Sequence, residues 1–343
     1  MAKTTTKELY SKCIILGSGT DKIILEDSTI FTLLHLTVND LKWDVTSASI
    51  KKLDLEFPST NYFDIPLEWF NTSNLMFEQN ELLENLDELI SIDSDFGLFY
   101  FNLCSLHKRR VKYQNILSAQ PRPTMEQVGP RGLLEFGLNN TELLSNWMIW
   151  RKWIFDIDNR SGQETGYLFE PILASCLGGV SISSSKSPVK RVDSDGKPTK
   201  GGRQIDCYVA SENRAYEFKL RVTIAASGQG RFAEELSFPK EAQIAGILPI
   251  LLVLDSTPSN RLTELAKAFT DAGGESYIGE DAWNHMEEKS GDIIAVFIEK
   301  YIKQPLLTIA ENEPEVLENI QLSWNNGVIT ISTENDEYVI KRT

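Results

Sequence analysis

Hydrophobic and polar positions change rhythm three times along the 343-residue chain. Over residues 1–75 short apolar runs alternate with polar ones. Lys12 to Leu16 and Lys22 to Leu25 flank Gly17-Ser-Gly-Thr-Asp21, and similar runs continue to Trp69. This pattern predicts hairpins and a β-rich N-terminal region. The Gly17-x-Gly19 pair lacks the third glycine of a dinucleotide loop and leads into the strand-like Lys22-Ile-Ile-Leu-Glu26, which excludes a nucleotide site. From Glu78 to Ile92, Leu82, Leu83, Leu86, Leu89 and Ile90 follow helical spacing on an acidic background, as in a packed surface helix. Breakers at Gln120 to Thr124 and Gly129 to Gly132 predict a boundary.

Past that boundary the helical period dominates. Thr141 is placed to N-cap an apolar helix, Glu142 to Ile157, whose stripe of Leu144, Trp147, Trp150, Trp153 and Ile154 is expected in the core. A second helix is expected around Glu164 to Leu177. Then come a strand near Val180 to Ser184, a basic Gly/Ser/Pro loop, strands at 204–210 and 214–223, a helix near 231–246 and a buried strand, Ile247 to Leu254. A helix from Asn260 to Ala272, a strand from Glu275 to Ile278 and two helices to about Lys303 follow. The order from residue 163, α-β-β-β-α-β-α-β, is an α/β (α+β) arrangement: a mixed central sheet flanked by helices. Asn325-Asn326-Gly327, between Ile320 to Trp324 and Val328 to Ser332, is a hairpin signal.

Charge first argues against a nucleic-acid partner: 34 Lys and Arg against 49 Asp and Glu give a net −15. Its distribution reverses that reading. Residues 1–100 hold 7 basic against 17 acidic side chains and residues 251–343 the same, while residues 101–250 hold 20 against 15. An anionic ligand belongs to the middle. No apolar run approaches the ~18 residues of a membrane span, and no signal peptide is evident, so a cytoplasmic protein is expected. Cys13, Cys104, Cys176 and Cys207 are far apart and no histidine lies near them, which supports neither a zinc site nor a disulfide framework.

Candidate chemistry lies in Gln204 to Arg221. Apolar residues are odd-numbered on the first strand (Ile205, Cys207, Val209) and even-numbered on the second (Tyr216, Phe218, Leu220). Both sets share a face only if paired positions sum to an odd number. A tight turn at Glu212-Asn213, with 211 opposite 214, meets that condition and sets Asp206 across from Lys219, with Glu217 and Arg221 on the same polar face. Two carboxylates and an ammonium suit a hard divalent cation such as Mg²⁺ and phosphodiester hydrolysis. A third acid is available on the preceding helix, Glu164 or Glu170, with Glu170 preferred.

These residues resemble the PD-(D/E)xK nucleases, and among them the type II restriction endonucleases. The match is Ile205-Asp206, a hairpin turn, then Glu217-Phe218-Lys219, with the Glu170 helix upstream and a helix and strand, Arg231 to Leu254, downstream. Glu217 to Thr223 and Glu234 to Pro239 are also similar to the ApaLI-like group. The resemblance covers roughly residues 163–280, with Ile205 where the family name has Pro. It implies a restriction-endonuclease-like core in which Asp206, Glu217 and Glu170 hold Mg²⁺ and Lys219 meets the water or scissile phosphate. The implied partners are double-stranded DNA, a second copy of the chain and, in the cell, a protecting DNA methyltransferase. On this reading residues 1–125 serve recognition or dimerisation, 126–305 form the nuclease core and 306–343 a C-terminal hairpin extension. A repair or recombination nuclease of the same fold and a non-catalytic DNA-binding protein are the rivals.

The bare acid-x-Lys triplet is common: Asp40-Leu-Lys42, Asp195-Gly-Lys197 and Glu287-Glu-Lys289 also fit. Only the 206–219 set has the strand, turn, strand and helix order. Lys186, Lys190, Arg191, Lys200 and Arg203, with Arg221 and Arg231, are the expected DNA contacts. Ser227 to Arg231 opens a helix and offers backbone N–H groups to a phosphate. His107 to Lys112 is a further candidate. Asp193-Ser-Asp-Gly196 lacks the spacing of a calcium loop.

Overall fold

The computed structural model describes residues 5–17, 22–43, 56–72, 79–138, 141–193, 195–220, 229–311 and 320–342. Within them the N-terminal region is helical, which corrects the expectation of a β-rich extension. Helix α1 (Thr6–Ile14) opens on a capping box between Thr5 and Glu8. Strands β1 (Ile15–Leu16) and β2 (Ile23–Ile24) form only a two-residue pair. Helix α2 (Asp27–Asp40) buries Thr29 through Leu34 and Leu36 to Val38, so nearly every side is covered. A helix buried all round has no amphipathic period, and its threonines and Val38 mimic a strand. Helices α3 (Leu67–Thr72), α4 (Gln79–Ile92) and α5 (Asp95–Ala119) follow.

Of the two breaker runs, Gln120 to Thr124 does separate α5 from the next helix, whereas Gly129 to Gly132 lies inside α6 (Met125–Phe136), despite Pro130. The two helices expected over 142–177 are one, the 36-residue α7 (Thr141–Cys176). Its polar middle is not a break because it meets α5. Tyr113 donates to the Ser161 carbonyl (2.8 Å), and Arg109 and Lys112 pair with Glu164. The predicted stripe is only partly buried: Trp153 is covered, whereas Trp147 and Ile154 are exposed, and the side chain of Leu144 lies outside the described residues.

Strands β3 (Val180–Ile182), β4 (Lys190–Val192), β5 (Pro198–Gly202), β6 (Ile205–Val209) and β7 (Arg214–Lys219) come next. The expected basic loop therefore contains an antiparallel ribbon, β4 with β5. Then follow α8 (Gln229–Ile244), β8 (Leu248–Val253), α9 (Asn260–Asp271), β9 (Glu275–Ile278), α10 (Glu280–Lys289) and α11 (Asp292–Ile298). A π-helical turn leads from α11 into α12 (Gln304–Ala310). The central sheet has the order β3-β6-β7-β8-β9, antiparallel through β7 and parallel from β7 to β9. The fold is thus mixed α/β, with helices on both faces of a five-stranded sheet.

Alternation along the strands assigns the two faces. Cys207, Tyr216, Phe218, Ile250 and Leu252 belong to a core shared with α2, α5, α7 and α11, which runs from Tyr10 to Ile302. Ala215, Leu251 and Val253 pack with Phe238 and Ala242 of α8 and Leu262, Leu265 and Phe269 of α9. Asp206, Glu217 and Lys219 share the second face by parity, so the polar face of the hairpin is covered by helices rather than by solvent.

The register is two residues out from the one expected. Cys207 opposes Tyr216 and Val209 opposes Arg214. The sum is odd, as the hydrophobic pattern demands, but the loop spans residues 210–213 rather than 212–213. The Glu212 N–H returns to the Val209 carbonyl, and Asn213 takes a left-handed φ of 53°. Asn is among the few residues that accept this conformation, and its amide donates to the Gly246 carbonyl at 2.7 Å. Asn213→Ala is expected to cost about 1–2 kcal/mol in urea unfolding. An unchanged midpoint would show that the loop closes without it.

The C-terminal strands β10 (Gln321–Asn325), β11 (Val328–Ser332) and β12 (Glu337–Lys341) form a separate three-stranded sheet. Its first turn is the expected two-residue hairpin, with Asn326 and Gly327 both at positive φ. Ile329 and Ile340 pack on Trp153 of α7, and Arg342 stacks on Trp153 and Trp324.

Candidate active site

A cleft of about 350 Å³ opens where β6 and β7 meet α8. Glu170, Asp206, Glu217, Lys219, Arg191 and Arg203 line it together with Glu234 and Glu235 of α8. The corrected register brings Asp206 beside Glu217 rather than Lys219, and one Asp206 oxygen accepts the Phe218 N–H at 3.0 Å. Lys219 reaches Glu217 at 2.9 Å and Glu235 at 3.1 Å. Sequence reasoning missed Glu235. Its only signal was helical: Glu235 and Phe238 lie three apart, so the residue that packs under the sheet aims Glu235 at the same side.

Of the two helix acids, only Glu170 lines the cleft. Glu164 is buried about one and two-thirds turns away, between Arg109 and Lys112. That pairing also corrects the candidate contact at His107 to Lys112. His107 is buried against the Tyr62 hydroxyl at 2.9 Å, and burial, reinforced by Arg110, pushes its pKa down to about 3. Lys108 caps the Lys12 and Ile15 carbonyls, and Arg110 donates to the carbonyls of Tyr62, Phe63 and Ile65. These cations hold the N-terminal helices together and are spent on protein partners.

The central basic run divides in the same way. Lys186 and Lys200 are exposed, Arg191 is exposed but paired with Glu234 at 2.7 Å, and Lys190 donates to the Ser187 carbonyl at 2.8 Å. Arg203 is buried against Glu241 and donates to Ser237 at 2.6 Å, so it anchors the ribbon to α8 rather than facing outward. Arg221, Ser227 and Gly228 lie outside the described residues, as does the side chain of Arg231.

Electrostatics at the site are unbalanced. Burial, added to the charges of Glu217 and Glu170, raises the Asp206 carboxyl well above the usual carboxylate range, against the pull of the Phe218 N–H and Lys219. Burial works against the Lys219 charge, but Glu217, Glu235 and Asp206 outweigh it and raise its pKa. A carboxyl whose folded pKa exceeds its unfolded value binds more protons when folded. Its stability contribution is full below about pH 4 and is lost as pH rises. Asp206→Asn keeps an oxygen for the Phe218 N–H and removes the charge. Without divalent cations it is expected to raise the melting temperature at pH 8 by a few degrees, about 1–2 kcal/mol, the gain closing toward pH 4. Equal melting temperatures at pH 8 would contradict this crowding.

Among the described residues no three His, Cys, Asp or Glu side chains form a ready-made metal cage. Mg²⁺ does not require one, since it is commonly held by one or two carboxylates together with waters and substrate phosphate oxygens. The donor set fits: Asp206 and Glu217 offer hard carboxylate oxygens, crowded beyond what Lys219 neutralises.

Residues 67–303 match the ApaLI-like restriction endonuclease family. The chain belongs to that family. The type II restriction enzyme ApaLI of Acetobacter pasteurianus is 42% identical over 299 residues, which cover 83% of this chain and 79% of that enzyme. No solved structure matches the chain. Membership makes this protein a restriction endonuclease, a hydrolase of DNA phosphodiesters. The matched span contains the whole cleft. No helix among the described residues is long and apolar enough to cross a membrane.

Proposed function

We propose that this family member, a type II restriction endonuclease, cuts double-stranded DNA at a short palindromic site, as a homodimer and with Mg²⁺, through a PD-(D/E)xK site. The observation that carries the reading is the junction of Asp206, Glu217 and Lys219 at one cleft, with Glu170 beside them and the basic ribbon on its rim. Asp206, Glu217 and Glu170 would hold the Mg²⁺ ion. When bound, Mg²⁺ supplies Lewis-acid polarisation of the phosphodiester and a water of lowered pKa.

The protein's own part is orientation. Lys219, kept protonated by its carboxylate neighbours, donates toward the attacking water or the scissile phosphate and offsets charge that builds there. The ribbon with Lys186, Lys200 and Arg191 follows the DNA backbone. Two copies related by a two-fold axis present two clefts to a palindrome, one for each strand. Such an enzyme acts in the cytoplasm beside a DNA methyltransferase that protects the host's own sites.

Digestion of sequenced double-stranded DNA tests the proposal, with Mg²⁺ and with EDTA, followed by mapping of the ends. Discrete fragments that need Mg²⁺ and share a symmetric end sequence are expected. Scattered or structure-dependent cuts would favour a repair nuclease, and binding without cuts at any Mg²⁺ concentration would leave only a DNA-binding protein.

A further inference from the structure

Glu235 is an acidic member of the cleft to which the proposed chemistry gives no role. It projects from α8, lines the same cavity as Asp206 and Glu217, and is largely buried. Its Oε1 accepts from Lys219 at 3.1 Å, while Oε2 is buried without a hydrogen-bond partner among the described residues. A desolvated carboxylate oxygen without a donor is costly, so the position asks for a cation that arrives in another state. Lys219 has three N–H donors on a flexible stem and now divides them between Glu217 and Glu235.

We propose that Glu235 is the standing counter-ion of Lys219: it takes the ammonium over, through the unpartnered Oε2, so that Glu217 is released to ligate a divalent cation. This rests on the metal site proposed above. Glu217 serves two masters in the present geometry, because every lone pair it gives to Lys219 is withheld from a metal ion. Removal of Glu235 leaves Glu217 as the remaining ion-pair partner of Lys219 among the described residues, and the buried ammonium then holds Glu217 more tightly. Glu235 is thus a positioning residue that acts through Lys219. A direct ligand would behave differently.

Mn²⁺ binding to the full chain without DNA, followed by electron paramagnetic resonance, separates these roles. Four proteins are compared: wild type, Glu235→Gln, Lys219→Met and the double variant, with folding checked by circular dichroism. Glu235→Gln is expected to weaken Mn²⁺ affinity about tenfold in the wild-type background. In the Lys219→Met background it is expected to have no effect, because no ammonium competes for Glu217. Equal weakening in both backgrounds would make Glu235 a ligand in its own right and overturn the proposal. No weakening in either background would overturn it as well. A fifth protein, Asp206→Asn, keeps the parent reading distinct: if it binds Mn²⁺ as the wild type does, the metal site itself is misassigned and the inference falls with it.

Discussion

Asp206→Asn and Lys219→Met each lose DNA cleavage by about a thousandfold or more while retaining specific DNA binding. The two losses have different physical origins. Asn keeps the shape of Asp206 and its bond from the Phe218 N–H but removes the anionic oxygen that a hard cation needs. Met fills the volume of the Lys219 stem but removes the donor proposed to meet the reacting phosphate, where a preorganised charge in a desolvated cleft is worth several orders of magnitude. Stability separates them from misfolding. Asp206→Asn is expected to lose cleavage and yet melt higher than the wild type when no divalent cation is added, because the crowded charge proposed to bind the cation destabilises the fold. Lys219→Met leaves Glu217 and Glu235 without their cation and is expected to melt lower. Gel-shift binding, fragment yield and melting curves on the same preparations check all three. Cleavage at the wild-type rate by either variant would remove that residue from the site.

Much of this site was legible because a strand's alternation is a strict rule. The odd and even apolar sets of the hairpin force Asp206, Glu217 and Lys219 onto one face, and the structure keeps them there. Parity does not set the phase, however: registers that differ by two residues satisfy it equally, and the choice lay with the loop. Asn213 at positive φ closes a four-residue loop, moving Asp206 from Lys219 to Glu217. The N-terminal region misled for a related reason. Helix α2 is covered on nearly all sides, so the 3.6-residue period is erased, while the capping box at Thr5 and Glu8 was the overlooked local signal. Basic side chains were read as DNA contacts by type, yet Arg109 and Lys112 differ from Lys186 only in what the fold brings to them. Glu164 lies more than fifty residues away in sequence, and no local pattern announces such a pair.

Glu241→Ala is expected to destabilise the protein by about 3–5 kcal/mol, the largest loss of any single substitution on α8. Glu241 is nearly inaccessible and does two things at once. One oxygen pairs with Arg203, also buried, and the other accepts the Val192 N–H at 3.0 Å. The first fastens the strand leading into Asp206, and the second fastens β4, so a single carboxylate holds the basic ribbon to the helix that carries Glu235. Its removal leaves a buried guanidinium with Ser237 and the more distant, exposed Glu234 as its side-chain partners among the described residues. Most of the expected loss is this stranded charge rather than the worth of the ion pair. Arg203→Met added to Glu241→Ala is therefore expected to recover a good part of the stability, since both charges are then gone. Urea unfolding of the two single variants and the double variant measures the coupling. If the double variant is as unstable as the sum of the singles, the pair contributes no such coupling. The ribbon would then be held by its backbone alone. Recovery of stability in the double variant without recovery of cleavage is the further expectation, because the introduced thioether side chain restores packing but not the registration of β4 and β5 that Arg203 and Glu241 impose beside Asp206.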